Sequence, residues 1–213
     1  MCIASVKVKV TSATLNTVKY MSLKVENVVA SIDLHGHIDV EEVAGELHPV
    51  HYDPSVFPGA AYKMDPFGVT FLIFASGKLV CTGAKSIETI KKATKELRWI
   101  LESLGMKFGG EPEIQVQNIV AAGDIGLGRL ELDEVALTLP NVEYEPEIFP
   151  GIVYRVRNSG MAILIFNSGK IVVSGAKGEE DILRAIDDLK NDFKKYGLLK
   201  SGWDDSSGSG GSS

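Results

Sequence analysis

Residues 71–85 read FLIFASGKLVCTGAK and residues 163–177 read ILIFNSGKIVVSGAK, identical at 10 of 15 positions. Working outward, Val25-Glu26-Asn27-Val28-Val29-Ala30 returns as Val116-Gln117-Asn118-Ile119-Val120-Ala121, 91 residues later. Phe57-Pro58-Gly59 returns as Phe149-Pro150-Gly151, 92 residues later, so one residue has been added between the two landmarks. Tyr52, Pro54, Gly83, Ala93, Leu97 and Gly105 have identical partners at Tyr144, Pro146, Gly175, Ala185, Leu189 and Gly197. Two copies of about 90 residues predict a pseudo-twofold molecule, because a solenoid needs shorter and more numerous units. The chain divides into a first repeat, 21–109, and a second, 110–200, joined by a short loop around Gly109-Gly110-Glu111-Pro112. Residues 1–20 alternate apolar and polar (Val6, Val8, Val10) without a partner in the repeat. They are expected as an extra strand or a loose extension, with Met21 as a second candidate start. Residues 201–213 are Ser, Gly and Asp around a single Trp203 and read as a disordered tail.

Each repeat has the same local grammar. The spacing predicts a strand near Lys24–Ile32, then a short helix near Asp39–Leu47 with Asp39 as its N-cap. A turn from Tyr52-Asp53-Pro54 through Phe57-Pro58-Gly59 leads into strands near Ala60–Met64, Val69–Ala75 and Leu79–Gly83, with Ser76-Gly77 as the last hairpin turn. A long helix follows Ser86, with Ile87, Ile90, Ala93, Leu97, Ile100 and Leu104 at helical spacing. Ile182, Ala185, Ile186, Leu189 and Phe193 form the matching stripe in the second copy. The fold class is α+β.

Composition bounds the function. In 213 residues, 45% hydrophobic and 23% charged, there is enough apolar material for a core, and wholesale disorder is excluded. No apolar run approaches the ~18–20 residues that span a bilayer. The N-terminal stretch lacks the basic, apolar and small-residue order of a secretory signal, so none is expected. Two cysteines, Cys2 and Cys81, make no disulfide framework and point to a reducing, cytoplasmic compartment. Lys and Arg number 22 against 28 Asp and Glu, a formal charge of -6. That balance argues against a nucleic-acid partner unless the cations are gathered in one place.

They are. Successive strand side chains point to opposite faces. In Phe71-Leu72-Ile73-Phe74 both faces are apolar, as they are for Leu79 and Cys81 against Val80 and Thr82, while Val28 and Ala30 oppose Asn27 and Val29. Two amphipathic helices per repeat cover only one side of a sheet, and an apolar face left bare usually marks a binding surface. The bare set is Val29, Leu72, Phe74, Val80 and Thr82, repeated as Val120, Leu164, Phe166, Val172 and Ser174, with Asn27 and Asn118 nearest the pseudo-dyad. Lys63/Arg155, Lys78/Lys170 and Lys85/Lys177 border it. Such a face suits a DNA minor groove. Apolar side chains lie against sugar and base edges, amides and hydroxyls reach base acceptors, and the rim takes phosphates. Small side chains on the floor exclude the guanine amino group and favour A·T. Phe57, Phe149, Phe74 and Phe166 are placed to enter base steps as wedges.

The paired V-x-N-[VI]-V-A strands, FPG turns and LIF-x-SGK-[LI]-V-x-[TS]-GAK segments resemble the TATA-box-binding protein family, most closely its archaeal type. The resemblance covers residues 24–199. This family is itself a standing example of minor-groove binding with wedge insertion, so that mechanism comes with the resemblance. It implies a curved, saddle-shaped antiparallel sheet of about ten strands, helices on its convex face, and a duplex bent towards the major groove. By motif, Asn27 and Asn118, aided by Thr82 and Ser174, would donate to acceptors at the central base steps. Val29, Val80, Val120 and Val172, with Leu72 and Leu164, would press on base edges. Phe57 with Phe74, and Phe149 with Phe166, would open the two ends. Lys63, Lys78, Lys85, Arg155, Lys170 and Lys177 would take phosphates, with Arg157 a weaker candidate and Asp65, opposite it, weakening the first rim. Glu143, Glu145, Glu147 and Ile148 match the surface that binds transcription factor B, which brings RNA polymerase. The acidic Glu41, Glu42, Glu179, Glu180 and Asp181 would lie on the helical side. No cofactor or metal is implied, and in a prokaryote the protein would be nucleoid-associated.

His35, His37, His48 and His51 fall within 17 residues and suggest a metal site, but the second copy has no matching histidines and no paired cysteines lie nearby. Solvated loop residues are the better reading. Cys81 reads as a small core residue and Asp33 and Asp124 as turn residues. The SGK-[LI]-V segment lacks the glycine spacing of a phosphate loop. A glycosylase-like repair domain would need a catalytic Lys or Asp in a helix-hairpin-helix, and none is visible. A protein-interaction module using the apolar face is the other alternative, and weak homodimerisation without DNA stays open.

Overall fold

In a computed structural model of the chain, residues 22–198 are described; the expectations for residues 1–20, for Met21 and for the tail lie outside them. The first repeat runs β1 (Ser22–Asp33), α1 (Val40–Glu46), β2 (Val50–His51), β3 (Ala60–Met64), β4 (Val69–Ile73), β5 (Lys78–Ala84) and α2 (Ile87–Ser103). The second runs β6 (Glu113–Asp124), α3 (Leu132–Thr138), β7 (Val142–Glu143), β8 (Ile152–Arg155), β9 (Ala162–Ile165), β10 (Lys170–Ala176) and α4 (Glu179–Lys195).

The helix starts follow the capping chemistry in the sequence. The Asp39 carboxylate accepts from the Glu42 N–H at 3.0 Å, and the Ser86 hydroxyl accepts from the Thr89 N–H at 3.1 Å. In α4 the cap position is Gly178, so Asp181 does this work, accepting from the Lys177 and Gly178 N–H groups at 2.9 and 3.0 Å. The strand expected to reach Ala75 stops at Ile73. Phe74 N–H already donates to Lys78 O, and Gly77 N–H to Phe74 O, each at 3.0 Å, so the chain has entered the hairpin turn. A 3-10 turn at Asp65–Phe67 and the two-residue strands β2 and β7 carry too few residues for periodicity to register.

All ten strands form one antiparallel sheet in the order β2-β3-β4-β5-β1-β6-β10-β9-β8-β7. At its centre β1 pairs with β6 in the register Asn27↔Val120, Val28↔Ile119 and Val29↔Asn118. The core lies on one face. Val28, Ala30, Phe71, Ile73, Leu79 and Cys81 are fully buried under Ile90, Ala93, Leu97 and Leu101 of α2. Ile119, Ala121, Ile163, Ile165 and Val173 are buried likewise under Ile182, Ala185, Ile186, Leu189 and Phe193 of α4. Each large aliphatic side chain so buried contributes ~1.5–3 kcal/mol, enough to fix which face the helices cover.

Candidate nucleic-acid interface

The opposite face of the sheet is uncovered by any described element. Val29, Leu72, Phe74, Val80, Thr82, Val120, Leu164, Phe166, Val172 and Ser174 are all partly exposed, alternating with the buried positions as the strand period requires. The expected floor is therefore assembled as one surface, with both asparagines flanking the β1–β6 centre. Each asparagine is held by its own carbonyl. Asn27 Oδ1 accepts from Gly83 N–H and Asn118 Oδ1 from Gly175 N–H, both at 2.8 Å. Oriented this way, each amide turns its NH2 group, a pure donor, towards the open face. Asn27 Nδ2 also donates to Thr82 Oγ1 at 3.3 Å. Gly83 and Gly175 adopt φ of 93° and 89°, and a Cβ at Gly83 would stand 2.9 Å from Gly68 O. That backbone conformation favours glycine and explains the GAK of both motifs.

At either end of the floor two phenyl rings meet edge to face. Phe57 and Phe74 have centroids 5.7 Å apart at 66°, and Phe149 and Phe166 are 5.8 Å apart at 64°. The glycine of each FPG turn makes room for them. A Cβ on Gly59 would lie 2.9 Å from both Phe57 and Phe74, and one on Gly151 2.9 Å from Phe149. Phe57 is 41% exposed on the turn between β2 and β3, open to insertion into a partner.

All six expected rim cations are exposed, but they are not equivalent. Lys63 Nζ lies 2.8 Å from Asp65, Lys85 Nζ 2.9 Å from Glu26, and Arg155 makes a two-pronged pair with Glu143 at 3.0 and 3.1 Å. Hydrogen bonding to the cation, then its charge, holds the Glu26 and Glu143 carboxyls below the usual range; the same causes raise Lys63 and Arg155. Lys78, Lys170 and Lys177 make no ion pair among the described residues. The weaker candidate Arg157 does not join the rim. It turns to the helical side and meets Asp192 of α4 at 3.0 and 3.1 Å, because the buried Asp192 already accepts from the Tyr154 hydroxyl at 2.8 Å and needs a cation.

Sequence reading missed Lys24 and Glu26. Glu26 is the extra residue of a β-bulge between Val25 and Asn27, matched on β6 by Gln117, which lies between Val116 and Asn118. The bulge turns Lys24, opposite Ala122, to the uncovered side while Leu23 and Val25 stay in the core. Gln117 donates to Ser31 at 2.8 Å and to Gln115 at 3.1 Å, an amide ladder where the first repeat has Lys24 and Glu26. Departure from strict alternation, with Val25 apolar two places before the floor residue Asn27, is the signal that would have found it.

Glu143, Glu145, Glu147 and Ile148 are all exposed at the edge formed by β7 and the turn after it, Ile148 at 79%. The acidic residues Glu41 and Glu42 lie in the first turn of α1, and Glu179, Glu180 and Asp181 in that of α4. Cys81 is buried on the helical side, and burial pushes its thiol up to about 12. The four histidines are exposed, and no group of three metal-ligating side chains occurs among the described residues. Each described helix that is followed by another element is followed by a strand, so no helix-hairpin-helix is present among the described residues. No described helix is long and apolar enough to cross a membrane.

A family model described as transcription factor TFIID, or TATA-binding protein, matches the chain twice, over residues 22–104 and 113–196. The TATA-box-binding protein of Pyrococcus furiosus is 50% identical over 180 residues, covering 84% of this chain and 94% of that one. That of Archaeoglobus fulgidus is 42% identical over 179 residues, covering 83% and 97%. Among solved structures, the Methanococcus jannaschii protein superposes with a TM-score of 0.77 at 42% identity, covering 82% of this chain and 99% of that one. The ten-stranded sheet and four described helices are those of the saddle fold. With its motif doubled, its length matched and its architecture shared, this chain belongs to the TATA-binding protein family.

Proposed function

We propose that this protein is a transcription initiation factor that seats its uncovered face in the minor groove of A·T-rich promoter DNA, bends the duplex, and recruits transcription factor B and through it RNA polymerase. The observation that carries the reading is the pair of asparagine amides, each fixed by a glycine N–H so that only donors face outward. The minor groove of an A·T pair offers only acceptors, adenine N3 and thymine O2, so donors flanked by valines fit it; guanine N2 would meet the same donors and the valine surface. Phe57 with Phe74 and Phe149 with Phe166, edge to face at the two ends of the floor, act as wedges; the A·T target is supported by relatives named for the TATA box. Opening a base step costs a few kcal/mol and is offset by the contact area of the bent duplex, a balance long associated with this family. Lys63, Lys78, Lys85, Arg155, Lys170 and Lys177 neutralise phosphates locally despite the net charge of -6. Glu143, Glu145, Glu147 and Ile148 form the surface for transcription factor B and give the pseudo-symmetric saddle its direction. The role is binding, without catalysis.

The test is affinity and end-to-end fluorescence transfer on a doubly labelled duplex carrying TATAAA, against a G·C-substituted control, across a salt series. Tight binding and a compacted duplex at the A·T site alone support the reading. Equal affinity for both duplexes, or binding without compaction, would sink it, and the apolar face would then be examined for self-association.

A further inference from the structure

The edge of the second repeat ties together two groups whose tasks differ. Arg155 sits on β8, where the resemblance expects a phosphate contact, and Glu143 on β7, where it expects a partner protein. Here they hold each other: Arg155 Nε and Nη2 donate to the two Glu143 oxygens at 3.0 and 3.1 Å. The register brings them together, since Glu143 pairs with Val153 two residues before Arg155, and Arg155 N–H donates to Asn141 O at 2.8 Å. Both side chains are more than half exposed, at 58% and 59%, so each is open to replacement of its partner from solution. Glu143 takes the Nε–Nη2 edge of the guanidinium; a phosphate drawn to the same cation would stand within a few ångströms of that carboxylate, and like-charge repulsion sets the two anions against each other for Arg155. The first repeat lacks the arrangement. His51 stands in the place of Glu143, and Lys63 turns instead to Asp65 beyond its own strand.

Building on the proposed DNA-binding role, we infer that the Arg155–Glu143 pair is an exchange switch: capture of a duplex phosphate by Arg155 uncovers Glu143, completing an acidic edge with Glu145 and Glu147 for a basic segment of transcription factor B. From Leu130 to Tyr154 the chain carries acidic residues and no Lys or Arg, so the uncovered edge is of one sign. The coupling is reciprocal: whatever draws Glu143 away frees Arg155 for phosphate, so each ligand strengthens the other. Because the device exists at one end only, it reports which end of the saddle is seated. In the free protein Arg155 keeps the Glu143 carboxyl below its ordinary range, first by hydrogen bonding and then by charge; on the duplex that carboxyl returns upward.

The experiment measures transcription factor B binding to the full chain without DNA, by calorimetry, for the wild type, Arg155→Gln and Glu143→Gln. Exposed ion pairs are weak, so the expected change is roughly 2- to 5-fold. Arg155→Gln should bind the factor more tightly by that factor, because Glu143 is then always uncovered. Glu143→Gln should bind the A·T duplex more tightly by a similar factor, with a steeper salt dependence, while losing affinity for the factor. In the wild type, the carboxyl carbon resonance of labelled Glu143 should move on duplex addition. Unchanged or weaker factor binding by Arg155→Gln, or an unmoved Glu143 resonance, overturns the switch while leaving the DNA reading intact. A wild type that does not distinguish A·T from G·C duplexes, or never binds the factor even on DNA, removes the reading beneath it and the switch with it.

Discussion

The two repeats share a backbone and a floor but not a charge pattern. Valines, asparagines, phenyl pairs and glycine turns recur in place, each with the same geometry to within a tenth of an ångström in the ring pairs. The ionised groups have been rewired. Lys63 pairs with Asp65, but the residue in the place of Asp65 is Arg157, which reaches under the sheet to Asp192; Arg155 looks instead to Glu143 across the edge. The contrast shows what each part must satisfy. On the proposed reading, a floor that seats a pseudo-symmetric groove would be held twofold by that ligand, whereas the rim and edge would face partners that need not be symmetric.

The largest departure from symmetry should come from Asp192, whose counterpart is the half-buried Ile100. Asp192→Ala strands the buried Tyr154 hydroxyl and releases Arg157, for an expected loss of ~2–4 kcal/mol in urea unfolding. Most of this comes from Tyr154, since Arg157 is 47% exposed and keeps access to water. Ile100→Ala should cost less, ~1–2 kcal/mol, for a half-buried aliphatic group. Equal losses would mean that the polar tie adds nothing over ordinary packing.

On the symmetric side, Phe57→Ala and Phe149→Ala should each weaken A·T duplex binding by roughly 10- to 100-fold and reduce its compaction if the rings are the proposed wedges, since opening a base step costs a few kcal/mol that ring contact must offset. Matched effects uphold the floor's twofold character; a dominant ring would show one end to be the entry point. A smaller change is expected from Asp65→Asn, which frees Lys63. Duplex affinity should rise roughly 2- to 5-fold, and the slope of log K against log salt should steepen by up to about one phosphate contact. A fluorescence titration at several salt concentrations checks both.

The smallest effect is one of pH at the start of α4. Hydrogen bonding from Lys177 N–H, foremost, holds Asp181 below the ordinary Asp range, with Arg184 beside it. Its folded value is lowered, so its contribution is whole above the unfolded Asp value and lost as pH falls through the folded one. Amide shifts of Lys177 and Gly178 should move together below about pH 4, while Thr89, capped by the uncharged Ser86, stays put. Movement of all three would point to general unfolding.

Much of this molecule was legible because doubling removed ambiguity. The stripe Ile90, Ala93, Leu97 and the alternation in Phe71-Leu72-Ile73-Phe74 each had a second copy at matching positions. One face of each lies buried as the period requires. The N-caps Asp39 and Ser86 are local chemistry, readable in a few residues. What stayed hidden was non-local or too short. The bulge at Glu26 is fixed by pairing with β6 rather than by its neighbours, and the edge strands β2 and β7 have only two residues each. Rim cations were identifiable by type, but their choice between Glu26, Asp65, Glu143 and Asp192 depends on cross-strand and helix contacts. Arg157, the weaker phosphate candidate, pairs with Asp192 for that reason.

The register at the centre of the sheet has one more implication. Val28 faces Ile119, its own repeat equivalent, while Asn27 faces Val120 and Val29 faces Asn118. Every pairing is therefore an exchange of homologous positions, as in the isologous seam of a homodimer. The chain is a two-fold dimer written as one polypeptide, its halves kept together by the linker instead of by concentration. A homodimer must install each substitution at both of its ends. Fusion lifts that obligation, and a carboxylate such as Glu143 was then free to appear at one end while histidine stands at the other, with the shared seam undisturbed.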